Sequence, residues 1–124
     1  MRAILAISLF AMAGTAHAGF YTGNDLHELC KADQPAVLGY VAGVIDKSGY
    51  DLQVLEALDN APAGDIPTFS RKYRMGGFIC YPDGMVLRQA RDIFCKYLAD
   101  NPESRQKGAE GLVQAALYDA WPCK

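Results

Sequence analysis

The chain has 124 residues, 51% of them hydrophobic, and a formal net charge of −2 at pH 7, with both signs scattered along its length. Scattered charge excludes the clustered basic surface of a nucleic-acid groove and an acidic tail. No stretch approaches the roughly 20 consecutive apolar residues that a membrane-spanning helix needs.

Residues 1–18 read as a signal peptide: Arg2 supplies the positive start, Ala3 to Ala13 a short apolar core, and Ala16-His17-Ala18 the small-x-small cleavage signal. Cleavage after Ala18 leaves residues 19–124 as one domain, with a net charge of −3 once Arg2 is gone. A chain of that length builds one core and gains from covalent reinforcement. All four cysteines lie in this part, and an even number in an exported chain reads first as two disulfides. Structural zinc sites favour closely spaced ligand pairs, and Cys30, Cys80, Cys95 and Cys123 form no C-x-x-C pair.

In chain order, residues 19–23 read as a loose lead-in, and Asn24 as the cap of a short helix carrying Leu26, Leu29 and Cys30. Asp33 reads as the cap of a second helix, with Pro35 in its first turn and Val37, Tyr40, Val41, Val44 and Ile45 at core spacing. Gly39 and Gly43 sit four apart on it, each costing about 1 kcal/mol relative to alanine. Such a pair makes either a smooth face for another helix or subunit, or a point of close packing within the monomer. Ser48-Gly49-Tyr50 interrupts the pattern, and Asp51 to Asp59 predicts a third helix with Leu52, Leu55 and Leu58.

From Asn60 to Gly77 the periodicity vanishes among Pro62, Gly64, Pro67, Gly76 and Gly77, with a basic cluster at Arg71, Lys72 and Arg74. A loop this long in a small domain is uncommon and often carries function; the ordinary alternative is a connector whose aromatics tuck onto the core. Within it, Asp65, Ile66, Pro67, Thr68, Phe69, Ser70 and Arg71 are the candidate partner-binding residues. Phe69 would be the anchor and Arg71 a polar contact, with the prolines limiting the entropy lost on binding.

Val86 to Asp100 shows one broad apolar stripe through Ala90, Ile93, Phe94, Tyr97 and Leu98. Asn101 as cap and Pro102 at the first position then predict a last helix, running through Ala109, Leu112, Val113, Ala116, Leu117 and Trp121 to Pro122. These two helices form an antiparallel hairpin, which brings Cys80 and Cys123 to one end. Cys95 lies about nine residues into the first of them, roughly 14 Å along the axis and beyond disulfide reach of that end. Cys30 with Cys95 follows by elimination, and each closed loop would contribute about 4 kcal/mol, not additively. No segment alternates like a strand, so the expected class is all-α: a small disulfide-stapled bundle of about five helices.

Little in the chain points to catalysis. After cleavage one histidine remains, His27, and oxidised cysteines leave no thiolate. No phosphate-binding glycine loop, H-E-x-x-H or calcium loop occurs. The residues read as an exported binding protein without cofactor or metal. Its class alternatives are a helical, disulfide-bonded acid-stress chaperone of the cell envelope and a small hydrolase.

Several blocks add a more specific signal. Asn24-Asp25-Leu26 with Cys30, Gly39-Tyr40-Val41-Ala42-Gly43-Val44-Ile45-Asp46 and Cys80-Tyr81-Pro82-Asp83-Gly84 come first. Tyr97-Leu98, Asn101-Pro102-Glu103, Leu112-Val113, Ala115-Ala116-Leu117 and Ala120-Trp121-Pro122-Cys123 follow. In that order they resemble the Rap/Tai family of type VI secretion immunity proteins. The resemblance implies a mostly helical periplasmic protein, often a homodimer, that neutralises a peptidoglycan amidase effector, in some members by pushing a loop into its Cys-His cleft. The chain departs from the pattern at Leu38, where the family often has a cysteine, and at Cys95, which the pattern lacks. The segment Asn60 to Gly77 matches no family motif, so no toxin-contact residue carries over.

Overall fold

The computed structural model describes residues 19–59 and 79–124. Among them are four α-helices, α1 (Gly23–Lys31), α2 (Pro35–Asp59), α3 (Leu87–Asp100) and α4 (Ala109–Ala120), with a single 3-10 turn at Pro102–Ser104. No strand occurs among the described residues, which hold two isolated backbone bridges, Thr22 with Gly108 and Ile79 with Pro122. The all-α class stands. Residues 1–18 and the segment Asn60 to Gly77, with its candidate residues Asp65 to Arg71, lie outside the described residues.

Four helices replace the expected five because α2 runs through Ser48-Gly49-Tyr50 without a break. Ser48 Oγ donates to the Val44 carbonyl at 2.8 Å, Lys47 pairs with Asp51 one turn on, and Gln114 of α4 donates to Ser48 Oγ. These bonds, with Leu55 buried further along, outweigh the local breaking tendency of one glycine, which is about 1 kcal/mol.

Helix starts and stops also differ from the sequence reading. Thr22, not Asn24, caps α1 in a capping box: Asp25 N–H donates to Thr22 Oγ1 at 3.3 Å and Thr22 N–H to Asp25 Oδ2 at 2.8 Å. The Thr22 N–H, and then the Thr22 hydroxyl donating to the same Oδ2 at 2.7 Å, hold the Asp25 carboxyl below its ordinary pKa. Asp33 does not cap α2. It ends α1 in a left-handed conformation, φ 49°, where glycine is usual. Asp33 N–H donates to Cys30 O at 3.1 Å and Gln34 N–H to Leu29 O at 3.0 Å, so both orphan carbonyls are satisfied by a Schellman motif. Asn101-Pro102 starts only the 3-10 turn, and α4 begins seven residues later, after Gly108.

The core joins all four helices through Leu26, Val37, Val41, Phe94, Leu98, Leu112, Val113 and Leu117, each at most 3% exposed. Two disulfides cross it: Cys30–Cys95 ties α1 to α3, and Cys80–Cys123 joins the residues before α3 to those after α4. Since the connection 101–108 closes the other end, α3 and α4 lie antiparallel.

The lead-in is not loose. Gly23 N–H donates to Lys107 O at 3.0 Å, Asn24 N–H to Arg105 O at 2.8 Å, and Ala109 N–H to Tyr21 O at 2.9 Å. The first donors of α1 and α4 are thus each satisfied by the other's approach segment. Gly23 is buried there, and a Cβ on it would lie 2.5 Å from Leu112 Cδ1 and 2.9 Å from Arg105 Cα and O. Two of these contacts are backbone and have no rotamer to give way.

Gly23→Ala should therefore lower unfolding free energy by about 1–3 kcal/mol, the usual range for overpacking, despite the better helix propensity of alanine; urea unfolding measures it. Replacing Cys30 and Cys95 together with alanine should cost about 4 kcal/mol in the chain-entropy model for a separation of 65 residues. Denaturant midpoints of oxidised wild type and double variant check the second expectation.

Candidate partner-binding surface

The structure brings together glycines that are far apart in sequence. Gly39 and Gly43 of α2 and Gly111 of α4 line one groove with Tyr40, Val44 and Gln114, enclosing about 560 Å³. A Cβ on any of the three glycines would meet nothing within 4 Å. Close packing within the monomer is thus not what Gly39 and Gly43 serve among the described residues; they floor an open groove. The groove runs along α2 from Gly39 to Asp51; the stretch Pro35 to Ile45 carries no charge, so this part of the helix is apolar well beyond its buried stripe of Val37 and Val41. A helix of that kind usually has neighbours on more than one side.

Polar groups rim the groove. Lys47 and Asp51 pair at one end, and Glu110 lies near Tyr40 at the other. Burial first, and then the Glu110 carboxylate, push the Tyr40 phenol above its ordinary pKa, so it stays a protonated donor well into the alkaline range. The Tyr21 ring meets it edge-on, 5.6 Å between centroids. Gln114 Oε1 is buried without a hydrogen-bond partner while its amide donates to Ser48.

A second apolar surface lies at the disulfide end, where Ile45, Tyr50, Leu52, Ile79 and Tyr81 line a groove of about 540 Å³. Tyr50 is 61% exposed, a large apolar side chain open to water. The return of the chain at Ile79 is held firmly: Ile79 bridges Pro122, Cys80 N–H donates to Trp121 O at 2.9 Å, and the Tyr81 ring packs edge-on against Trp121. Sequence reasoning missed Tyr50, Tyr81, Gly111 and Gln114 as surface residues. The one signal available was the recurrence of glycine in apolar helices, already visible at Gly39 and Gly43.

Groups for chemistry are sparse. His27 Nδ1 is buried without a partner, and burial first, then Arg105 and Lys31, hold the imidazole below its ordinary pKa, against a smaller opposing effect of Glu28. It is neutral at pH 7 and has no thiol to activate, because all four cysteines are in disulfides. Among the described residues no group of three His, Cys, Asp or Glu side chains is placed to hold a metal ion. No described helix is long and apolar enough to cross a membrane.

A family model described as Rap1a immunity proteins matches residues 22–123. No curated protein and no solved structure matches the chain. The matched span begins at the Thr22 cap of α1 and ends at Cys123, taking in all four helices and both disulfides. The chain belongs to the Rap1a immunity protein family, and with it to proteins that confer immunity by binding a cognate secreted effector.

Proposed function

We propose that this protein is a periplasmic immunity protein, exported on a signal peptide of residues 1–18, that binds a type VI secretion peptidoglycan amidase effector and occludes its active site. The family match carries the immunity part of this reading, and the resemblance in the sequence blocks carries the amidase. Two disulfides suit an oxidising compartment, where such an amidase acts on the cell wall. An inhibitor of this type needs shape rather than reactive groups. A nanomolar complex requires about −12 kcal/mol, ordinarily over an interface of roughly 1,600 Å². The protein works by binding and transforms nothing, and the immunity family favours this over the envelope-chaperone reading, which calls for many clients.

The segment holding Asp65, Ile66, Pro67, Thr68, Phe69, Ser70 and Arg71 is the proposed contact with the effector. It departs from the end of α2 and returns at Ile79, next to the clamp of Cys80–Cys123 and the Ile79–Pro122 bridge. A clamped return point lowers the entropy lost when a loop is ordered by a partner. The protein further acts as a homodimer, in which the glycine-floored face of α2 and α4 meets its symmetry mate. An isologous contact buries the same patch twice, and the uncharged stretch Pro35 to Ile45 of α2, with Lys47 and Asp51 already paired beyond it, is suited to that.

Two measurements test this reading. Deleting Ile66 to Tyr73 should leave far-UV circular dichroism unchanged and abolish protection when the protein is co-expressed with an amidase encoded beside its gene; cells that still survive would remove the segment from the interface. Gly43→Leu should convert a dimer to a folded monomer in sedimentation velocity. An unchanged sedimentation coefficient would place any dimer contact elsewhere.

A further inference from the structure

Glu110, in the first turn of α4, has an unusual pair of neighbours. A Cβ on Gly108 would come 2.5 Å from its Oε1, and a Cβ on Gly19 would come 2.5 Å from its Oε2. The carboxylate therefore lies where the side chains of residues 19 and 108 would be, and both residues have none. Among the described residues no lysine, arginine or histidine forms an ion pair with Glu110. Its polar neighbour from α2 is the Tyr40 phenol, with the Tyr21 ring behind it. Gly19 is held near by its successors: Tyr21 O accepts from Ala109 N–H at 2.9 Å, and Thr22 bridges Gly108.

The nitrogen and the Cβ position on one Cα are about 2.5 Å apart. Gly19 N thus lies within about 5 Å of the Glu110 carboxylate, given the 2.5 Å approach of the Cβ position. In the uncut chain that nitrogen is a neutral amide. Residue 18 is the last of the Ala16-His17-Ala18 cleavage signal, so on the proposed reading of the leader Gly19 is the first mature residue. Peptidase-catalysed hydrolysis of the Ala18–Gly19 bond adds water across the amide. The hydroxyl goes to the Ala18 carbonyl carbon and a proton to the Gly19 nitrogen; the carboxylic acid so formed loses its proton, and the amine takes one up to become an ammonium.

We propose that Glu110 is the docking site for the chain's own new amino terminus, an ion pair that only the processed protein makes. The inference rests on the leader reading above. The ammonium sits near the N-terminal end of α4, whose dipole disfavours a cation, so the pairing depends on the Glu110 carboxylate. The groups facing it are Glu110 from α4 and the protonated phenol of Tyr40 from α2. Processing then acts as a latch, adding a charged contact that fixes the first mature residue at the seam where α1 and α4 already meet.

The test uses the full chain with its leader, exported and purified in mature form. Mass and N-terminal sequencing identify the first residue, and NMR of the carbon-13 dimethylated amine follows its titration. Docking predicts a chain starting at Gly19 whose amine titrates about one unit above the ordinary value near 8, a tenfold shift in its protonation equilibrium. The shift should vanish in Glu110→Gln and shrink in the wild type at 1 M salt, where the screening length is about 3 Å. A chain that starts at Gly19 and titrates alike in both proteins and both salts overturns the latch and leaves the leader reading standing. A chain left uncut, or cut elsewhere, overturns both.

Discussion

The fold depends on how two approach segments, residues 101–108 and the lead-in before α1, satisfy three helix ends between them. Arg105 Nε and Nη2 donate to the carbonyls of Leu98 at 2.6 Å and Ala99 at 3.1 Å, two of the acceptors that α3 leaves unpaired at its C-terminus. A guanidinium there also complements the negative end of the helix dipole. The backbone carbonyls of Arg105 and Lys107 meanwhile accept from the first N–H groups of α1, and Ala109 opens α4 with its own N–H bonded to Tyr21 O. Hydrogen bonds of this kind contribute about 1 kcal/mol each, but leaving a buried donor unpaired costs about 1–3 kcal/mol. The arrangement is therefore specific as well as favourable, and it requires the bare Cα of Gly23 against Arg105.

The disulfides work on the same frame from the other side. Cys30–Cys95 fixes the C-terminal half of α1 to the middle of α3, while the backbone seam fixes its N-terminal end. A nine-residue helix is too short to be stable alone, and here it is secured at both ends. Cys80–Cys123 closes the far end of the hairpin and steadies the point where the chain returns at Ile79. What this leaves open are apolar grooves on both halves of α2. Membership of the Rap1a immunity family implies a cognate effector to bind, and a rigid frame with exposed apolar faces offers surface for binding.

Much of the helical content was legible because it rests on local signals. The stripe of Ala90, Phe94 and Leu98 reads directly as α3, and Leu112, Val113, Ala116 and Leu117 read as α4, all buried as their spacing requires. The helix ends were not. Asp33 looks like a helix cap in sequence, yet it ends the preceding helix, because an aspartate can serve either role and the choice depends on the chain direction beyond it. Ser48-Gly49-Tyr50 looks like a break, yet Gln114, 66 residues away, supports the helix there.

Sequence alone determined the all-α class and the periodic faces that pack, since hydrophobic spacing and cysteine count are properties of the chain read locally. Its blocks also pointed toward a family of immunity proteins, whereas the residues Asp65 to Arg71 stayed an expectation from loop length and composition. Only the tertiary structure decided that Gly23 is a buried contact while Gly39, Gly43 and Gly111 face open space. Glycine has no side chain to reveal its surroundings, so its role is set by what other segments bring beside it.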